Sequence, residues 1–124
     1  MAGAAQARAG DVSDQVAVAL AAVEAFCEKR NPPDLRDRIR LEVAVRGDTI
    51  TIVERRPPWR PDLGSEWTSS DIARLRLNPP TGTWALEWKD SSDRWHGYDS
   101  VQPSPDLAPL LAEIEADPTG IFWG

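Results

Sequence analysis

One cysteine, one methionine, one histidine and one tyrosine are all that this 124-residue chain holds of those types, against 6 tryptophans and 11 prolines. The lone Cys27 leaves no partner for an internal disulfide and no cysteine set for a structural zinc site, a pattern that fits a reducing cytoplasm. No run of about 18 apolar residues is present, so neither a transmembrane helix nor a membrane partner is expected. The apolar stretch from Val16 to Val23 follows Asp11 and Asp14 rather than a basic segment, which argues against the core of a secretory signal. Repeats and low-complexity blocks are missing as well. No recognisable nucleophile motif, metal-ligand spacing or cofactor fingerprint occurs, so no cofactor and no metal are expected.

What is there belongs to a folded domain: 41% hydrophobic and 27% charged residues, on a chain long enough for its own core. The net charge of −6 is unevenly spread, with nine Lys/Arg against six Asp/Glu in residues 28–60 and four against eleven in residues 61–124. An acidic chain with one mildly basic third argues against nucleic acid, which draws a clearly basic face. It predicts a domain with two electrically different sides.

Residues 1–12 are small and featureless and are read as a disordered tail, which leaves 13–124 as a single domain. Ser13 is a plausible N-cap for a helix to about Arg30, with Val16, Ala19, Leu20, Val23, Phe26 and Cys27 on one face. Asn31-Pro32-Pro33 stops it. IRLEVAVR then alternates, with Ile39, Leu41, Val43 and Val45 on one side, and TITIVE follows after Gly47-Asp48. Two residues with glycine first, between alternating runs, predict a type II′ hairpin, which gives the Arg46-Gly47-Asp48 triplet a local explanation. IARLRL (72–77), TWALEWK (83–89) and RWHGYD (94–99) read as three more strands, with turns at 78–82 and 90–93. Asp106 can cap a second helix with Pro109 in its first turn and an apolar stripe of Leu107, Leu110, Leu111 and Ile114. The predicted fold is α+β: an N-terminal helix, a five-stranded antiparallel meander sheet and a C-terminal helix, with the helices on one face.

The stretches RIRLEVAVRGDTITIVERRPPWR, EWTSSDIARLRL, TWALEWKDSSDRWHGYD and LLAEIEADPTGIFWG together resemble a bacterial family, Domain of Unknown Function 3024. The likeness runs from about residue 16 to the C-terminus, and the VERRPPWR and DPTGIFWG blocks are specific in combination. It implies a small bacterial, often actinobacterial, stand-alone protein, and carries no activity, cofactor or catalytic residue with it.

Chemistry concentrates in ERRPPWRPD (54–62). Glu54 ends the second strand in this reading, and Pro57-Pro58 force an extended exit that cannot continue the sheet. Arg55, Arg56 and Arg60 surround Trp59, with Trp67 shortly after, a composition typical of binding hot spots. The bland alternative is a rigid connection with arginine stems packed on indoles; a proline-type peptide ligand using Arg55, Pro58 and Pro61 is a further one. The second concentration is RWHGYD, where Arg94, His96 and Tyr98 share a strand face and Trp95 takes the other. His96 beside Asp99, or with Glu54, would make a general base for a small hydrolase, although a lone histidine on a sheet is commonly a hydrogen-bonded surface residue. Glu87-Trp88-Lys89 has the E-x-K spacing of some metal-dependent nucleases, with Asp71 or Asp99 as a further ligand, yet it also alternates as any solvent-facing strand does.

The expectation is therefore a cytoplasmic, non-catalytic binding module. It would recognise a protein partner or an anionic small molecule through Arg55, Arg56, Trp59, Arg60 and Trp67, with Arg94, His96 and Tyr98 as further contacts. The alternatives are a hydrolase built on His96, or single-stranded nucleic-acid binding through the same arginines with Trp59 stacking. Nothing in the sequence sets the oligomeric state.

Overall fold

Alternating apolar residues become strands because every second side chain must leave water on the same side. A computed structural model describes residues 2–30, 40–58 and 66–123, with side chains from Ser13 onward in the first segment. Five strands, β1 (Arg40–Arg46), β2 (Thr49–Arg56), β3 (Thr68–Asn78), β4 (Thr83–Lys89) and β5 (Trp95–Gly97), form one sheet in sequence order, antiparallel throughout. Helix α1 (Ala2–Arg30) and helix α2 (Ala108–Ala116) complete the α+β fold. Neither helix is long and apolar enough, among the described residues, to cross a membrane.

Ile50 and Ile52 of β2, Leu75 and Leu77 of β3, and Trp84 and Leu86 of β4 are all buried and share the helix-covered face. Ala19, Val23 and Cys27 of α1 and Leu110 and Ile114 of α2 close over them. Each fully buried aliphatic side chain contributes about 1.5–3 kcal/mol. Leu41 and Val43 are only half covered, and Val45 is 43% exposed, because β1 is the outermost strand. Ile39 lies outside the described residues.

The turns obey their residues. Gly47 alone takes a positive φ, 61°, in the β1–β2 hairpin, as a type II′ turn requires. The β3–β4 turn closes with Gly82 N–H donating to Asn78 O at 2.8 Å. At α2 the N-cap position is Leu107, without a side-chain cap, rather than Asp106; the Asp106 carboxylate lies one residue earlier and accepts the Ala108 N–H at 3.0 Å, and Pro109 occupies the first turn.

Several boundaries differ from the sequence reading. The first helix reaches back to Ala2, so Ser13 sits inside it; the stretch before Ser13 is rich in alanine, the best helix former. β2 does not end at Glu54 but continues to Arg56, and β3 begins at Thr68 rather than Ile72, since Arg55 pairs with Ser69 and Arg56 with Thr68. A register shift between Ile52 and Val53 leaves Ile72 unmatched, and both Ile72 and Ala73 are buried. β5 is shorter than RWHGYD, although the Tyr98 N–H still donates to Leu86 O at 2.9 Å.

Candidate functional site

Strand alternation divides the predicted arginine cluster. Arg55 projects on the open face of the sheet with Val53, and Arg56 projects on the helix-covered side with Glu54, because neighbours along a strand point opposite ways. Arg56 pairs with Glu54 at 2.8 Å. Trp59 and Arg60 lie outside the described residues.

On the open face, the register sets Arg40 directly opposite Arg55. Like charges in that position destabilise a strand pair. Trp67 answers one of them: the Arg40 guanidinium lies 4.3 Å from its ring centroid. Arg55 is held more loosely. Its Nη1 stands 3.5 Å from Glu42, and its buried Nε finds no hydrogen-bond partner among the described residues. By contrast, Arg74 reaches Glu87 at 2.6 Å and Lys89 reaches Asp71 at 2.8 Å. Arg76 adds a long contact to Glu87 at 3.6 Å. Trp95 lies beneath Arg74, with 4.4 Å between the guanidinium and its ring. The open face thus gathers Arg40, Arg46, Arg55, Arg74, Arg76 and Lys89 against Glu42, Asp71 and Glu87, a basic surface on a chain of net charge −6.

The second cluster also separates. His96 stacks on Trp88, with ring centroids 4.7 Å apart, and its Nε2 meets Asp90 Oδ2 at 2.6 Å. Its carboxylate is therefore Asp90, not Asp99 or Glu54, the latter being engaged with Arg56. The β4–β5 turn fixes Asp90, whose Oδ1 accepts the Ser92 and Arg94 N–H groups at 2.8 and 3.0 Å. The bond from His96, then that from the Arg94 N–H, holds the Asp90 carboxyl below its usual range. Among the described residues Asp90 is the one hydrogen-bond partner of His96, so no hydroxyl or thiol is poised for deprotonation. The Arg94 side chain is exposed in the turn.

Tyr98 belongs to the core. It is 6% exposed, its ring tilts against Phe122, and its hydroxyl donates to Glu113 Oε1 at 2.9 Å. Burial, then the bond to Glu113, raises its pKa. As expected from alternation, Trp95 takes the face opposite His96. Glu87 and Lys89 of the E-x-K spacing are tied to Arg74 and Asp71, and no group of three or more His, Cys, Asp or Glu among the described residues is placed to hold a metal.

A cavity of about 480 Å³ opens at the same sheet end, between Glu54, Asp71, Lys89, Asp90 and Asp93 on the sheet side and Phe122 and Trp123 on the other. Its carboxylates outnumber its one lysine, which bridges Asp71 at 2.8 Å and Asp93 at 3.7 Å. Sequence reasoning missed Arg40 and Asp90 as members of their clusters. The Asp90–His96 pair was within reach, since Lys89 pairs with Trp95 and Trp88 with His96, which leaves Asp90 diagonal to His96.

The family described as Domain of unknown function (DUF3024) matches residues 12–124. The chain belongs to that family. No match was found among curated proteins or among solved structures.

Proposed function

We propose that this protein is a non-catalytic binding module that recognises a carboxylate- or phosphate-bearing partner on the open face of its sheet, with Arg55 as the anchoring cation. One observation carries the reading: among the described residues the Arg55 guanidinium has a buried Nε without a partner and only a 3.5 Å ion pair, whereas Arg56, Arg74 and Lys89 hold carboxylates at 2.6–2.8 Å. A planar cation whose side chain is 38% exposed and whose Nη1 makes only a long contact, beside a second arginine stacked on an indole, suits end-on recognition of a carboxylate or phosphate group. Setting Arg40 opposite Arg55 concentrates two like charges side by side on one face, and an arrangement that goes against a local pairing rule points to function. The Glu42 contact supplies weak compensation that an incoming anion would replace. A cytoplasmic setting in a bacterium accompanies this reading, on the strength of the lone Cys27 and the family resemblance.

Half-buried Trp67 provides the readout. Titrating the protein with poly-L-glutamate and with inorganic phosphate should change its tryptophan emission, and Arg55→Gln should weaken the response about tenfold or more, as expected for losing a charge-assisted bond. Equal affinities for wild type and variant would reject the assignment.

A further inference from the structure

The two edges of the sheet are unlike. Beyond β4 the edge is closed by three-residue β5 and then by Ser104, which exchanges backbone hydrogen bonds with Trp84 at 2.7 and 3.0 Å. At the other edge β1 runs for 7 residues, and no described residue pairs with its outer side. An edge strand leaves a row of N–H and C=O groups unmatched, and proteins ordinarily blunt such an edge with proline, a bulge or a cover. RLEVAVR has no proline and no glycine, and its pairing to β2 is free of register shifts.

The side chains along β1 also remain unfinished. Leu41 and Val43 are half-buried and Val45 is 43% exposed, though all three lie on the face that elsewhere forms the core. With Leu20 and Cys27 of α1 they line a groove of about 850 Å³. On the open face the same strand carries Arg40, Glu42, Ala44 and Arg46.

We infer that β1 pairs antiparallel with β1 of a second copy of this chain, centred on Ala44, to give a two-fold dimer with one continuous sheet. Charge selects both the occupant and the register. Centring on Ala44 sets Glu42 opposite Arg46 of the second copy, twice by symmetry, and sets Arg40 opposite Asp48. Centring on Val43 would oppose Arg40 to Arg46, and sliding the other way, to centre on Val45, would oppose Glu42 to Asp48. Pairing centred on Glu42 would oppose that carboxylate to itself. Of the neighbouring registers, the Ala44-centred one alone avoids like charges face to face, which destabilise a strand pair. It also places Val43 against Val45 of the second copy, so the exposed valine is covered and the groove's apolar wall continues across the axis. The interface is isologous, as a closed dimer requires, and it joins two basic open faces side by side.

Sedimentation velocity on the full chain tests this. Wild type should sediment as a dimer, and Glu42→Arg and Arg46→Glu should each weaken association about tenfold by turning two opposite-charge contacts into like-charge ones. A one-to-one mixture of the two variants should recover the dimer, because one copy then offers two arginines where the other offers two glutamates. The recovery distinguishes lost pairing from lost folding. A monomeric wild type at every soluble concentration would overturn the proposal. So would single variants that dimerise as wild type does, or a mixture that stays monomeric.

Discussion

The guanidinium of Arg30, in the last turn of α1, lies 3.8 Å from the ring centroid of Trp123, and its Nη1 reaches Glu115 of α2 at 2.6 Å. Trp123 is fixed in turn, its indole N–H donating to Ile114 O at 2.8 Å. The chain can return to that position because Asp117 ends α2 in a left-handed conformation, φ 41° and ψ 57°. Its carboxylate then accepts the Phe122 and Trp123 N–H groups at 3.1 and 2.9 Å. The DPTGIFW segment is thus a latch between the two helices, which gives that family block a structural role.

Asp117→Ala should therefore destabilise the fold by about 2–3 kcal/mol, since two backbone donors lose their acceptor and alanine resists the left-handed region. Asp117→Asn keeps an acceptor and tolerates that backbone, so it should lose less. Urea unfolding followed by tryptophan emission measures both, and equal losses would contradict the latch.

Ile52→Ala removes a fully buried side chain and should cost about 2–5 kcal/mol. Leu41→Ala, on the half-covered edge strand, should cost about 1–2 kcal/mol, in proportion to the smaller apolar area it removes from water. Arg40→Ala should be close to neutral for stability, since it also relieves the repulsion with Arg55. Thermal melts that rank Leu41→Ala above Ile52→Ala would refute the assigned faces.

Burial, with a smaller contribution from Glu24, pushes the Cys27 thiol up to about 11. At pH 8 about one such thiol in a thousand is ionised, and only the thiolate attacks disulfide reagents. Folded protein should react with such a reagent no faster than it unfolds, while protein in denaturant should react at once. Rapid stoichiometric labelling of the native state would show that Cys27 is accessible.

Asp90 should contribute to the acid limb of stability. Its carboxyl is held below the ordinary range, so the unfolded chain takes up that proton at a higher pH than the folded one. The contribution is complete above about pH 4 and is lost as the pH falls through the depressed value. Melting temperatures of Asp90→Asn, measured downward from neutral pH, should decline less steeply than those of wild type. His96→Gln should shift the same limb toward Asp90→Asn, because the His96 bond is the largest cause of the depression. Parallel curves for all three proteins would remove the pair from the account.

Alternation in Ile50–Ile52, Leu75–Leu77 and Trp84–Leu86 by itself determined the strands and the buried face, because a period of two puts the whole apolar set on one side, and the short connections between the strands determined their antiparallel order. Gly47, Gly82 and Asp106 marked the turns and the start of α2 by backbone preferences that act within a few residues. The strand ends did not announce themselves: Arg55 and Arg56 are held by pairing with Ser69 and Thr68, and backbone hydrogen bonds impose no apolar pattern. Only the tertiary structure decided that Arg55 and Arg56 serve opposite faces, that Arg40 confronts Arg55 beside Trp67, and that His96 answers to Asp90. Those relationships join residues from different strands, or across a turn, and depend on register and on a bulge, where a shift of one residue exchanges every neighbour.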